Sequence, residues 1–311
     1  MAGQAFRKRK GDGCDGESGI GRASGDPVVT AGAGKVALIT GASSGFGLHI
    51  SLELAKAGYD VAAGLRRPEA AAELLARAEQ ADVAKRIHVF QLDICIEGQV
   101  KAAALELEKR YGRLDVLVNN AGEAVGGMVE EVPLSGWRKQ METNFFGTVS
   151  VTQHMLPLLR RTEKSKIILM SSISGVVGFP GYGPYASSKF ALEGFGESLS
   201  MEVMPFGIDV VLIQPGAYGT PIWNKSFGEL TVKEGSPYSG LLKGVLDYSE
   251  RTARGSGDPQ EVARLVAKIA SMAKPRFRYM LPRGTRVIAW IKGVLPDRLF
   301  QRIIYRMLGR R

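Results

Sequence analysis

From Lys35 onward the chain alternates short apolar runs with longer stretches of helical spacing. Val36-Ala-Leu-Ile-Thr40 is apolar on successive residues, which suits a strand buried on both faces. Residues 46–57 place apolar groups at helical spacing and stop at Gly58. The pattern then predicts strands at 61–64, 87–92, 116–118, 166–170 and 208–213. It predicts helices at 69–80, 99–111 (ended by Gly112), 137–161 and 185–204. Strands alternating with helices pair in parallel through right-handed crossovers. The expected fold class is therefore α/β: a doubly wound parallel sheet of Rossmann type, covered on both faces, in a single domain. No internal repeat is visible.

The flanks read differently. Residues 1–34 are rich in Gly, Ala, Ser and Asp with few large apolar groups, and predict a flexible tail. Its Arg7-Lys8-Arg9-Lys10 cluster reads as solvated, with a nuclear or membrane address as the alternative. The body of the fold spans 35–282. Within it, residues from about 220 to 256 carry Ile222, Trp223, Phe227, Tyr238, Leu241, Leu242, Val245, Leu246 and Tyr248, and read as an apolar lid. Residues 283–311 form a basic amphipathic C-terminal extension, in which large apolar groups alternate with regular arginines.

Composition narrows the function classes. With 45% hydrophobic and 23% charged residues, the chain suits a globular protein with a sizeable core. The longest uncharged run, 167–188, is broken by glycines and prolines, so it reads as strand and loop rather than a membrane span. No apolar segment of a secretory signal follows the N-terminal basic cluster, and a cytoplasmic location is expected. The two cysteines, Cys14 and Cys95, and the histidines His49, His88 and His154 show no ligand spacing, so neither a disulfide framework nor a metal is expected. The net charge is +10, and residues 274–311 hold eleven Lys/Arg against Asp297 alone. The positive charge is thus confined to the tail, which argues against a nucleic-acid partner. The tail instead has two readings: packing of its apolar face on the body or a neighbouring subunit, or peripheral contact with a membrane.

Two constellations carry chemistry. Thr40-Gly41-Ala-Ser43-Ser44-Gly45-Phe46-Gly47 directly follows the first strand and opens the first helix. Glycines there allow a tight turn and close backbone approach, and the helix N-terminus offers free N–H groups to a dinucleotide pyrophosphate. Tyr185 and Lys189 lie four residues apart on a predicted helix, hence on one face. A nearby ammonium favours phenolate, so the tyrosine is a candidate acid or base.

These residues and their order resemble the short-chain dehydrogenase/reductase family. The glycine spacing matches its T-G-x-x-x-G-x-G, and Asn119-Asn-Ala121-Gly122 matches its N-N-A-G. Asn144 matches its helix asparagine, Ser172 stands thirteen residues before Tyr185 like its catalytic serine, and Pro215-Gly216-x-x-x-Thr220 matches its P-G-x-x-x-T segment. The resemblance covers roughly residues 35–222. It implies that Tyr185 exchanges a proton with the substrate oxygen and that Ser172 positions that oxygen. It further implies that Lys189 binds the nicotinamide ribose, and that Asn144 holds a water linking Lys189 to solvent. Thr40, Gly41, Ser43, Ser44, Gly45, Phe46, Gly47, Asn119, Ala121, Gly122, Tyr185, Lys189, Pro215, Gly216 and Thr220 are the expected cofactor-binding residues, with Asp93 expected at the adenine amine. Ser187 and Ser188 read as helix-surface packing.

At the end of the second strand an acid would bind the adenosine ribose and repel a 2′-phosphate. Leu65 stands at that position and Arg66 and Arg67 follow. Guanidinium suits phosphate, so NADP(H) is expected ahead of NAD(H). The expected reaction is hydride transfer between NADP(H) and a carbonyl/alcohol pair on a small hydrophobic substrate of steroid, retinoid, fatty or aromatic type. The chain is expected to form a homo-oligomer. A cofactor-sensing regulatory protein on the same fold is the alternative.

Overall fold

The computed structural model describes residues 34–221, 235–282 and 284–308. The predicted N-terminal tail, up to residue 33, and the lid residues Ile222, Trp223 and Phe227 lie outside the described residues. Seven strands form one parallel sheet: β1 (Val36–Thr40), β2 (Asp60–Leu65), β3 (Ile87–Gln91), β4 (Val116–Asn119), β5 (Lys166–Met170), β6 (Asp209–Pro215) and β7 (Arg278–Leu281). Their order is β3-β2-β1-β4-β5-β6-β7. The chain builds outward from β1 to β3 and then returns to the other side of β1 with β4. That reversal opens a crevice at the carboxyl ends of β1 and β4, where ligands bind in sheets of this kind.

Alternate residues of each strand feed opposite cores. Ala37 and Ile39 face one helical layer, built from α1 (Gly45–Lys56), α2 (Ala72–Gln80) and α8 (Pro259–Ser271). Val36 and Leu38 face the other, built from α3 (Glu97–Tyr111), α5 (Gly147–Leu159) and α6 (Gly183–Val203). Five consecutive buried residues in β1 therefore need no amphipathic alternation.

The predicted helix at 137–161 is three pieces. It begins as α4 (Leu134–Met141), passes through a π-helical turn at Glu142–Phe146, and continues as α5. The π turn inserts an extra residue where Asn144 must reach across to neighbouring chain, a distortion common at functional sites. Neither β7 nor α8 was expected from the pattern. β7 is a four-residue edge strand whose first residue is exposed, so it lacks an apolar run.

A third, smaller apolar cluster lies beyond β5 and β6. In it α7 (Ser239–Arg254) contributes Leu242 and Val245, packed with Val177 and with Phe300, Ile304 and Leu308 of α10 (Asp297–Leu308). Ile288 and Ile291 of α9 (Thr285–Val294) join from the side.

Candidate active site

The crevice is a cleft of about 960 Å³. Its floor is the β1–α1 turn. Gly41 and Gly45 have left-handed backbone (φ +68° and +55°), which only glycine adopts without strain. A Cβ on Gly47 would lie 2.2 Å from the Gly41 carbonyl oxygen and 2.5 Å from Asn120 Nδ2, so α1 packs against the turn only with glycine there. Ser44 precedes α1 in extended conformation with no side-chain cap, and the first turn carries no acid. The N–H groups of that turn are thus left for an anion. This cradle fits a dinucleotide pyrophosphate. Gly41, Ser43, Ser44, Gly45 and Phe46 line the cleft, with Arg66, Asp93, Ala121, Gly122, Pro215, Gly216 and Thr220.

Other expected residues sit behind that wall. Thr40 is buried, and its Oγ1 accepts the Asn120 and Ala121 N–H groups, both at 3.0 Å. Asn119 is buried and donates to Thr152 Oγ1 at 3.0 Å. Asn120 takes the exposed position instead. It lines the cleft and donates from Nδ2 to the carbonyls of Thr40 (2.9 Å) and Gly41 (3.1 Å). A run of two asparagines does not separate these roles by itself; the end of β4 does, with Asn119 its last buried residue and Asn120 just past it. Arg67 is exposed and lies outside the cleft wall, while Leu65 is buried in the core. Among the described residues neither Arg66 nor Arg67 has a carboxylate partner. Asp93 accepts the Cys95 N–H at 3.0 Å, so it also closes its own turn.

Ser172, Tyr185 and Lys189 line the cleft from the opposite side. β5 ends at Met170, which sets Ser172 at the rim in extended conformation, its Oγ accepting the Ser174 N–H at 3.1 Å. Tyr185 and Lys189 lie in α6 and are both buried, with the Lys189 ammonium 5.7 Å from the Tyr185 ring centroid. Lys189 Nζ donates to the Met170 carbonyl at 2.7 Å, which fixes it. Burial lowers the Lys189 ammonium to about 8, opposed by the Glu193 carboxylate.

The tyrosine departs from the expectation that Lys189 lowers its pKa. Burial pushes the Tyr185 phenol above its ordinary range, and a side-chain hydrogen bond with Ser172 is what opposes this. The protein alone holds Tyr185 as a neutral phenol, because a desolvated phenolate costs more than these contacts return.

Asn144 lies in the π turn. Its amide is buried and already partnered: Oδ1 accepts the Glu123 N–H (2.9 Å), while Nδ2 donates to the Glu123 carbonyl (2.9 Å) and to Ser188 Oγ (3.0 Å). It does not line the cleft, and its side chain has no donor or acceptor directed at Lys189. Ser188 is fully buried rather than a surface residue; its Oγ donates to the Tyr185 carbonyl at 2.7 Å while accepting from Asn144. The pair ties α6 to the π turn one residue before Lys189. Helical spacing alone places residue 188 next to the 185/189 face, the one signal that could have found it. Among the described residues no group of three His, Cys, Asp or Glu is placed to hold a metal ion.

The chain resembles known proteins in sequence and in fold. Residues 35–230 match the family model described as short chain dehydrogenase. An uncharacterized oxidoreductase of Bacillus subtilis, YusZ, is 40% identical over 277 residues, covering 88% of this chain and 98% of its own. A 3-ketodihydrosphingosine reductase of Bacteroides thetaiotaomicron is 35% identical over 276 residues, covering 87% and 98%. A solved active-site complex of Pseudomonas aeruginosa RhlG with NADP superposes with a TM-score of 0.67 at 28% identity, covering 84% of this chain and 99% of that one.

Proposed function

The chain belongs to the short-chain dehydrogenase family, and we propose that it uses NADPH to reduce an apolar ketone or aldehyde to the alcohol. An oxidoreductase with a nicotinamide cofactor follows from the family; the phosphate preference, direction and substrate type are our reading. One observation carries it: a neutral buried phenol, a serine hydroxyl and a buried ammonium face the same cleft as an uncapped, acid-free helix N-terminus.

The bound dinucleotide supplies the hydride. The protein does the rest. Gly41, Gly45 and the first turn of α1 would hold the pyrophosphate, and Lys189, which donates to the Met170 carbonyl, would bind the nicotinamide ribose. Ser172 donates to the substrate carbonyl oxygen and sets it beside Tyr185. As negative charge develops there, Tyr185 gives up its phenolic proton to that oxygen. The phenolate left behind is stabilised by the nearby Lys189 cation until it is reprotonated. A phenol kept neutral by burial is suited to donate, while the balance of reduced to oxidised cofactor, not the site, sets the direction.

The preference for NADPH rests on Arg66 at the cleft and on buried Leu65 where an acid would repel a phosphate. The RhlG complex with NADP supports it. Our reading of an apolar substrate draws on the cluster of α7 with Val177 and Tyr182, which includes Ile173 next to Ser172 and which we read as the described part of the lid. The relative named for reduction of 3-ketodihydrosphingosine agrees. The test is substrate-dependent loss of NADPH absorbance over a panel of apolar ketones and aldehydes. Tyr185→Phe is expected to lower kcat by roughly a hundredfold or more with NADPH affinity retained; normal turnover in that variant refutes the mechanism.

A further inference from the structure

The C-terminal helices divide their apolar residues between two surfaces. In α10, Phe300, Ile304 and Leu308 are buried against α7, while Leu299, Ile303 and Met307 are exposed. Successive helical residues turn by about 100°. The exposed apolar stripe therefore runs beside the buried one, and Arg298, Arg302 and Arg306 run along its far edge. All three arginines are exposed, and among the described residues none has a carboxylate partner. The preceding helix repeats the division of apolar residues. Ile288, Ile291 and Leu295 pack inward, while Val287, Trp290 and Val294 face solvent, Trp290 at 67% exposure. Packing on the body thus uses only half of the apolar surface of this segment.

We propose that this exposed face of α9 and α10 docks on the surface of an anionic lipid bilayer. An apolar stripe carrying a tryptophan and edged by arginines matches that interface, with the side chains entering the acyl boundary and the guanidinium groups reaching the phosphates. Charge selects this occupant over others. An antiparallel two-fold contact with a second copy would set the arginine stripes near one another. A nucleic acid would engage the arginines but leave the Trp290 stripe unused. Among the described residues no helix is long and apolar enough to cross a membrane, so contact is confined to the surface. One consequence rests on the apolar-substrate reading: α7 packs directly beneath these helices, so a carbonyl compound dissolved in the bilayer could reach the lid without crossing water.

The test is sedimentation of the full chain with vesicles of phosphatidylcholine alone and of equimolar phosphatidylcholine and phosphatidylglycerol. Binding is expected to the anionic vesicles, weakening with salt. Trp290→Ser/Leu299→Ser/Ile303→Ser should abolish it. Arg298→Gln/Arg302→Gln/Arg306→Gln should weaken it by roughly a hundredfold. Each altered residue is exposed, so unchanged thermal midpoints confirm that the variants fold. Equal partition to both vesicle types, no binding, or full binding by the serine variant overturns the proposal. So does light scattering that shows self-association abolished by the serine variant without vesicle binding. None of these readouts involves turnover, so they stand apart from the catalytic reading.

Discussion

Arg66→Ala isolates the choice between the two nicotinamide cofactors. Arg66 follows the last residue of β2 and joins Ser43 and Ser44 in the cleft wall. Its side chain is exposed and has no carboxylate partner among the described residues, so truncation breaks no internal ion pair. Stability should change by less than about 0.5 kcal/mol. A charge-assisted hydrogen bond to a phosphate contributes about 1.5–3 kcal/mol, and solvent screening at an exposed site favours the lower end. The expected loss of NADPH affinity is therefore about 1.5 kcal/mol, roughly tenfold in Kd. NADH, lacking the 2′-phosphate, should bind the variant and the parent alike. Titration of both cofactors by calorimetry at low salt gives the ratio directly. Raising the salt should narrow the gap as the screening length falls below about 10 Å. Arg67→Ala is the internal contrast, because Arg67 lies outside the cleft wall and its removal should cost less. Equal losses for NADPH and NADH, or an unchanged NADPH Kd in Arg66→Ala, would refute the reasoning.

Lys189 sets a pH limit: its ammonium, lowered to about 8, is present below that pH and lost above it. The rate of NADPH-dependent reduction should therefore fall above about pH 8, on the order of tenfold per unit. Glu193→Gln removes the carboxylate that raises this pKa, so the alkaline limb should move to lower pH; a limb that stays put rejects the assignment. Ser188→Ala leaves Asn144 Nδ2 without that acceptor and should cost about 1–3 kcal/mol in denaturant unfolding, with kcat reduced more than cofactor affinity. Gly47→Ala drives a Cβ into the Gly41 carbonyl and should destabilise the fold by about 3 kcal/mol or more, seen as a lower Tm and weakened binding of both cofactors.

Legibility followed the range of the interaction. Strand β5 is found where the apolar run predicts it, and the glycine turn lies between β1 and α1 as its residues require. Both depend on neighbours in sequence. β7 escaped because its short edge strand is defined by pairing with β6, Leu212 opposite Arg278, and not by its own pattern. Also unread was the set beyond Lys189, in which buried Glu193 accepts from Gln214 Nε2 (2.9 Å) and from Arg278 Nε (2.9 Å). Those partners come from α6, β6 and β7, and no local spacing joins them.

The sequence by itself determined the parallel α/β order, the dinucleotide turn and the placement of Tyr185 and Lys189 on one helix face. Backbone propensity and residue spacing act within a few positions, so a single chain displays them. Only the tertiary structure decided which of Asn119 and Asn120 meets the cleft, that the Asn144 amide is taken up by Glu123 and Ser188, and that burial raises the Tyr185 phenol above its ordinary range. It alone divided the C-terminal apolar residues into a packed stripe and an exposed one. Orientation, desolvation and hydrogen-bond satisfaction depend on groups far apart in the chain, and they take values only once the layers have closed.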